Sequence, residues 1–410
     1  MGILLVLTLF IEAAVLLYLE QKAWNTLLTP LNCLLVPYLV VLVISVILSG
    51  GSGFVGFHYP SILIWIVGLL LFAVPSLVIS ETAGRNNVLT DITVKRVEGI
   101  PYFIVVLGCV TALVLVFRLF LVSGSSRYAI GSDEFAEEFS GYGLWGHLRH
   151  LSFIFIMLLI YYLGKGRRWL WVPIAGLLAV NVVNMVKGSI IIPCVVGVMM
   201  RLASGKTKIT SRFLLILALC AVGVFFVTFL LAIVVANRMD VNAGVLQWVF
   251  QRFVHYLTSG TLGLSADMQL GFPDRGAFQV IWTPFINIVN YLTGNDVLLS
   301  PVNQTYLFTG ISLTNVRTFF GTLFIYTDHL QFCLYSLGLS TLCYTLKVLS
   351  QRVGSIYTNA VYCYFCGLLA MGWFEFYFFH LDVIEIPVLI VLLGLIDRAL
   401  PVRCIETGTI

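Results

Sequence analysis

The chain has 410 residues, of which 60% are hydrophobic and 10% charged, and its mean hydropathy is +1.01. Soluble domains carry about 25% charged and about 45–50% apolar residues. This composition therefore excludes a soluble globular, disordered, fibrous or disulfide-rich protein and leaves a polytopic membrane protein. A net charge of +4 is too mild to indicate a nucleic-acid partner; in a membrane chain, basic residues report orientation.

A spanning helix needs roughly 20 apolar residues. Apolar runs predict helices at about 2–19, 30–49, 61–79, 100–122, 149–163, 169–185, 188–202, 213–236, 329–347, 355–374 and 382–397. The expected architecture is thus all-α, with about eleven spans, read as one integral membrane domain over 1–410. The first run holds Glu12 and has no basic segment or small-residue cleavage site before it, so it reads as an anchored helix. Loop 123–148 is acidic. The segment 237–328 is a long loop, and within it Ala277–Leu292 is nearly apolar but holds Pro284, Asn287 and Asn290. That stretch reads as re-entrant or surface-lying, with a twelfth span as the alternative.

Fifteen of the 23 basic residues fall on one side of these spans and seven on the other, with Arg118 inside a span. The richer side is the cytoplasm by the positive-inside rule. The N-terminus is then expected outside, the C-terminus inside, and 237–328 on the outer face. The sequence has no Walker A motif and no visible internal repeat, which disfavours nucleotide-driven transport and a two-fold pseudo-symmetric transporter. Cysteines sit almost entirely in apolar runs; the CxxC of Cys363 and Cys366 reads as buried packing.

Candidate chemistry collects in the outer segments. From Val245 to Leu257 apolar residues recur at helical spacing, as in an amphipathic helix lying in the interface. Arg252 and His255 share one face there. The structural alternatives are a snorkelling arginine and a histidine bonded to a carbonyl. Arg317, Asp328 and His329 lie near the outer interface, where Asp328 either caps a helix or serves a site. Lys187 precedes Gly188-Ser189 at a helix start, an arrangement suited to phosphate or to anchoring. Arg127 and Arg149 join this set, with His147 and His150 close by. His58 reads as structural, as do Glu375, His380 and Asp382, although a carboxylate in that turn can also face a site. Arginines at headgroup depth suit a lipid-linked pyrophosphate, because they bind phosphate oxygens bidentately and stay charged.

The chain resembles the oligosaccharide repeat unit polymerases, the Wzy-type O-antigen or capsule polymerases of bacteria. The resemblance covers most of the chain as architecture. Locally it rests on the stretch Asn315–Leu337, on the Lys187-Gly188-Ser189 hairpin, and on Arg252 and Gly263 with ten residues between them. Glycine does not soon follow Asp328, and lysine stands at 187 where arginine is commoner. The resemblance implies a GT-C-like glycosyltransferase in the bacterial cytoplasmic membrane that needs no cofactor and no metal. Its donor is a glycan on undecaprenyl pyrophosphate, and a hydroxyl of a second lipid-linked unit attacks with inversion. Arg252, Arg317 and Lys187 are then expected to bind the pyrophosphate, with Arg127 and Arg149 as second choices. His255 or Asp328 is expected to be the base. Membrane lipid, a flippase and a chain-length regulator are the expected partners, and no nucleic acid. The rival readings are an O-antigen ligase and a lipid-linked oligosaccharide flippase or other transporter, the last expected to carry ionisable groups through its bundle.

Overall fold

The computed structural model of the chain describes residues 2–51, 53–85, 100–128, 132–141, 143–164, 166–183, 188–231, 242–272, 278–295, 297–300, 303, 305–400 and 404–405. Among these the helices are α1 (Gly2–Trp24), α2 (Pro30–Leu48), α3 (Ile62–Arg85), α4 (Tyr102–Ser125), α5 (Asp133–Ser140), α6 (Gly143–Tyr162), α7 (Trp171–Val183), α8 (Gly188–Ala203), α9 (Ser211–Leu231), α10 (Ala243–Gln269), α11 (Thr283–Thr293), α12 (Phe319–Tyr326), α13 (His329–Val353), α14 (Ile356–Ala370) and α15 (Asp382–Ala399). Strand is confined to two antiparallel pairs of two residues each: β1 (Ile100–Pro101) on β4 (Cys404–Ile405), and β2 (Leu307–Phe308) on β3 (Leu313–Thr314). Among the described residues each of the eleven apolar runs forms a helix over most of its length. Seven helices among the described residues (α1, α2, α3, α4, α6, α9 and α13) are long and apolar enough to cross a membrane. The protein is all-α and carries the helices of a polytopic membrane protein.

The chain divides into two compact units, one of Met1–Asp91, Val254–Val353 and Phe365–Ile384, the other of Ile92–Phe253, Gly354–Tyr364 and Glu385–Ile410. In the first unit α3 lies between α1 and α13. Its centre is aromatic. Tyr38 stacks on Trp65, Phe320 meets Trp65 edge-on at 5.0 Å, and the Trp65 indole donates to Thr318 Oγ1 at 2.9 Å. That bond satisfies the one polar atom of a fully buried Trp. Thr318 also caps α12, accepting from the Gly321 amide. Gly68 lies against the Phe320 ring and Gly372 against Leu34 and Phe319. Small residues allow such approach where helices meet without a hydrophobic drive between them.

In the second unit α6 is the central helix. Every residue from Ser152 to Tyr162 is buried, enclosed by α4, α7 and α8. Gly197 of α8 sits against Ile160 and the Met157 carbonyl, and Asn181 donates to Ser152 Oγ at 2.8 Å. Arg201 donates to the carbonyls of Ile160, Tyr161 and Leu163, closing the carboxyl end of α6.

Four expectations need correction. Segment 123–148 is not a plain loop: Ser132 caps α5, whose Phe135 and Phe139 are fully buried in a cluster with Leu115, Val122 and Val180. α6 begins at Gly143, because Leu144, Trp145 and Leu148 continue its helical period. α10 is not confined to a surface-lying stretch over 245–257. It runs to Gln269 and is buried from Thr258 to Asp267, where Gly260 meets the Trp373 and Phe374 carbonyls. α1 and α13 outrun their predicted ends, to Trp24 and Val353, and so bury Glu20 and Lys347.

Gly263 of α10 tests this close packing. A Cβ there would lie 2.6 Å from the Val316 carbonyl oxygen and 3.1 Å from Arg317 Nη1, whereas one at Gly338 in α13 meets nothing within 4 Å. Gly263→Ala is expected to cost about 1–3 kcal/mol. Gly338→Ala is expected to be neutral or to stabilise by up to about 1 kcal/mol. Thermal unfolding of both variants in detergent checks the contrast.

Candidate functional site

The best-formed chemical cluster lies in the second unit, at the starts of α6 and α15. His147 and His150 stand one turn apart on α6 and face the same way. Glu385, in the first turn of α15, takes both. His147 Nδ1 is 2.7 Å from Oε1 and His150 Nδ1 is 2.8 Å from Oε2. Arg149 Nη2 lies 3.4 Å from His150 Nε2. A guanidinium only donates. His150 Nε2 is therefore the acceptor, and its proton sits on Nδ1, donated to Glu385. An ionised carboxylate only accepts, so His147 also donates from Nδ1. In the neutral ring the lone pair is then on Nε2, and the His147 side chain is 61% exposed against 12% for His150. A carboxylate holding Nδ1–H and orienting the far nitrogen is the arrangement of a general base.

Of the other basic residues in this unit, Arg118 is bonded to α5. Arg118 of α4 donates to the Glu138 carbonyl at 3.1 Å and lies over Trp145 of α6, 4.8 Å from the ring centroid. Arg127 is exposed just beyond α4, next to Ser126, which donates to Glu138 Oε2. Arg252, on α10, is half-buried with its guanidinium 5.1 Å from the Trp248 centroid, a cation–π contact.

In the first unit the predicted residues do structural work. Arg317 is 1% exposed and its Nε is bonded to Asp267 of α10. The same guanidinium donates to the Val316 carbonyl at 3.0 Å, while its Nη2 is buried without a hydrogen-bond partner. Arg317 thus presents no charge to solvent here. His255 is buried on α10, with Nδ1 3.3 Å from Thr309 Oγ1. Asp328 is exposed and caps α13 reciprocally: Gln331 N donates to its Oδ1 at 2.7 Å, and Asp328 N donates to Gln331 Oε1 at 3.1 Å. Asp-His-Leu-Gln is a capping box. His58 N donates to Ser265 Oγ. Lys187 lies outside the described residues. Cys363 donates to Asn359 Oδ1, and none of the eight cysteines from Cys33 to Cys366 is in a disulfide. Burial in the turn before α15 pushes the Glu375 carboxyl up to about 8.

Sequence reasoning missed Asp267 and Glu385. Asp267 ends the run Thr-Ser-Gly-Thr-Leu-Gly-Leu-Ser-Ala-Asp, whose small residues signal close backbone approach. Glu385 is a carboxylate within an apolar run, which by itself marks a candidate site in a membrane chain. The His-x-x-His spacing at 147–150 was the partner signal.

The fold is that of a membrane-embedded helical protein with a carboxylate-held histidine pair. The chain belongs to a family of unknown function (DUF6337), whose model matches residues 53–402. No curated protein and no solved structure matches it.

Two outcomes follow for stability. Arg317→Ala leaves Asp267 buried without its counter-charge and is expected to cost about 3–5 kcal/mol, read as a lowered unfolding midpoint. Glu375 binds a proton in the folded chain that the unfolded chain releases above its ordinary value of 4.5. Its contribution is therefore fully present below that value and is lost as pH rises through about 8, with a slope of at most about 1.4 kcal/mol per pH unit. Glu375→Gln is expected to flatten the fall of the unfolding midpoint with pH.

Proposed function

We propose that this protein polymerises undecaprenyl-pyrophosphate-linked oligosaccharide repeat units into O-antigen or capsular polysaccharide. The reading places it in the bacterial cytoplasmic membrane with eleven spans, a GT-C-like arrangement, its N-terminus outside and its C-terminus in the cytoplasm. The supporting observation is the pair of imidazoles held by Glu385 beside Arg149, at the starts of two apolar helices.

The chemistry runs as a single displacement. His147 Nε2 takes the proton of the acceptor hydroxyl as its oxygen attacks the anomeric carbon of the donor glycan. The bond from that carbon to the pyrophosphate oxygen breaks, and undecaprenyl pyrophosphate departs with the electron pair. Arg149 supplies positive charge beside the base, where the developing phosphate charge needs it. Glu385 holds His147 in the basic tautomer and stabilises the imidazolium that forms. His147 takes the part first given to His255 or Asp328, since one of these is buried and the other is engaged in a cap. Arg127, Arg252 and Lys187 remain candidates for the second phosphate. A flippase and a chain-length regulator are the expected partners.

An O-antigen ligase would use the same donor and base with a different acceptor. A transporter reading draws on a separate observation, the buried Glu20 and Lys347 of the first unit. Purified protein given undecaprenyl-pyrophosphate repeat units without nucleotide distinguishes these readings. The expected product is a ladder of multiples, reduced about 10²–10⁴-fold in His147→Ala and strongly in Glu385→Gln, with both variants still inserted. Transfer only to added lipid A core would mean a ligase, and no new glycosidic bond would move transport to the front.

A further inference from the structure

The first unit holds a second cluster that the proposed transfer does not use. Glu20 near the end of α1 and Lys347 on α13 are 1% and 2% exposed, in helices with the length and composition of membrane spans. Between them lies a chain of donors. The Trp24 indole donates to Ser76 Oγ at 2.9 Å, and Ser76 of α3 donates to Glu20 Oε1. Tyr344 of α13 accepts from the Leu31 amide at 3.2 Å, so its own O–H is still to be given. The hydroxyls of Tyr344 and of Thr29, the cap of α2, act on the Glu20 carboxylate, as does the charge of Lys347. Lys347 Nζ donates to the Leu28 carbonyl at 3.2 Å and lies 5.2 Å from the Trp24 ring centroid. Ser76, Thr29, Tyr344 and Lys347 are the titratable or hydrogen-bonding groups that α3, α2 and α13 present to Glu20.

One atom of this cluster is left over. Glu20 Oε2 is buried and has no hydrogen-bond partner. An ionised carboxylate has about four acceptor positions, and in hydrocarbon no water fills the empty ones. We infer that Glu20 is a proton-binding site inside the membrane unit, with Lys347 as its counter-charge. A proton from water forms an O–H bond at Oε2 and neutralises the carboxylate. Lys347 keeps its contacts with the Leu28 carbonyl and the Trp24 face, and loss of the proton restores the opposite charges. The ammonium makes a metal cation a poor occupant of the same place, because like charges repel strongly in a low-dielectric interior. Leu28 and Thr29 are in the turn between α1 and α2, so protonation bears directly on what holds that turn to α13. This inference is independent of the glycosyl-transfer reading.

Infrared difference spectroscopy of the full chain in lipid tests it, by following the C=O stretch of a protonated carboxyl group as pH is varied. The expected result, read in a Glu375→Gln background so that the carboxyl before α15 does not contribute, is a pH-dependent component that Glu20→Gln removes and Glu12→Gln leaves in place. Lys347→Met is expected to move the midpoint upward by about one pH unit or more, a tenfold tighter hold on the proton. Ser76→Ala, which keeps the carboxyl and removes a donor to its charged form, is expected to move it the same way by less. Should Glu20→Gln fail to fold, the Lys347→Met and Ser76→Ala shifts decide. In that background, a spectrum that folded Glu20→Gln leaves unchanged, or a midpoint that neither Lys347→Met nor Ser76→Ala moves, would overturn the proposal.

Discussion

Hydrocarbon offers a polar group no water, and most of this structure follows from that constraint. A spanning segment must satisfy its own backbone, which leaves helices as the economical solution for one chain of this composition. It also removes the ordinary hydrophobic force between helices, so contact depends on how closely they approach. The glycines record this. Gly68, Gly197, Gly263 and Gly372 each stand where a Cβ would enter a neighbouring ring, side chain or carbonyl. The helices come together where the sequence supplies nothing to hold them apart.

The same constraint governs the polar side chains that remain inside. Arg317 is tied to Asp267 and to carbonyls of its own segment, and Arg201 is spent on the open end of α6. Burying both partners of an ion pair brings little net stability, but removing one leaves the other in a medium that cannot solvate it. These arginines therefore fix geometry more than they add stability. Arg317 stands immediately before the cap of α12, and its bond to Asp267 sets how α10 meets that helix. A cation so used is a poor first ligand for a phosphate that must come and go.

The helices were legible in the sequence because a span is a strong signal. Twenty apolar residues exceed any competing local preference, and among the described residues each run is helical over most of its length. What could not be read was where polar residues end a helix and where they merely interrupt it. Glu20 and Lys347 resemble span ends, yet the helical period runs through both, since Ser76 of α3 bonds Glu20 and the Leu28 carbonyl and Trp24 ring receive Lys347. The acidic stretch 132–140 resembles a solvated loop, but Phe135 and Phe139 recur at helical spacing and Ser132 caps the turn. Arg252, Arg317 and Asp328 drew attention as charges near an interface. Their partners Trp248, Asp267 and Gln331 are what define their work, and for the Arg317–Asp267 pair the two lie fifty residues apart. The Asp328 cap was readable locally, as a capping box four residues long.

The histidine pair shows what a helix start adds to chemistry. His147 and His150 are fixed by the first turns of α6, the central helix of its unit, and Glu385 by the first turn of α15. Groups carried on packed helices hold their positions better than groups on loops, so the imidazole nitrogen left open on His147 has a defined direction. Two histidines on one carboxylate also divide the work. His150, inside, is held by Arg149 and keeps Glu385 in place. His147, outside, is the one a substrate can reach. A carboxylate shared in this way stays anchored when one imidazole takes up a proton, because the second hydrogen bond persists. An imidazole so held can gain and lose a proton without losing its orientation, as the proposed transfer would require.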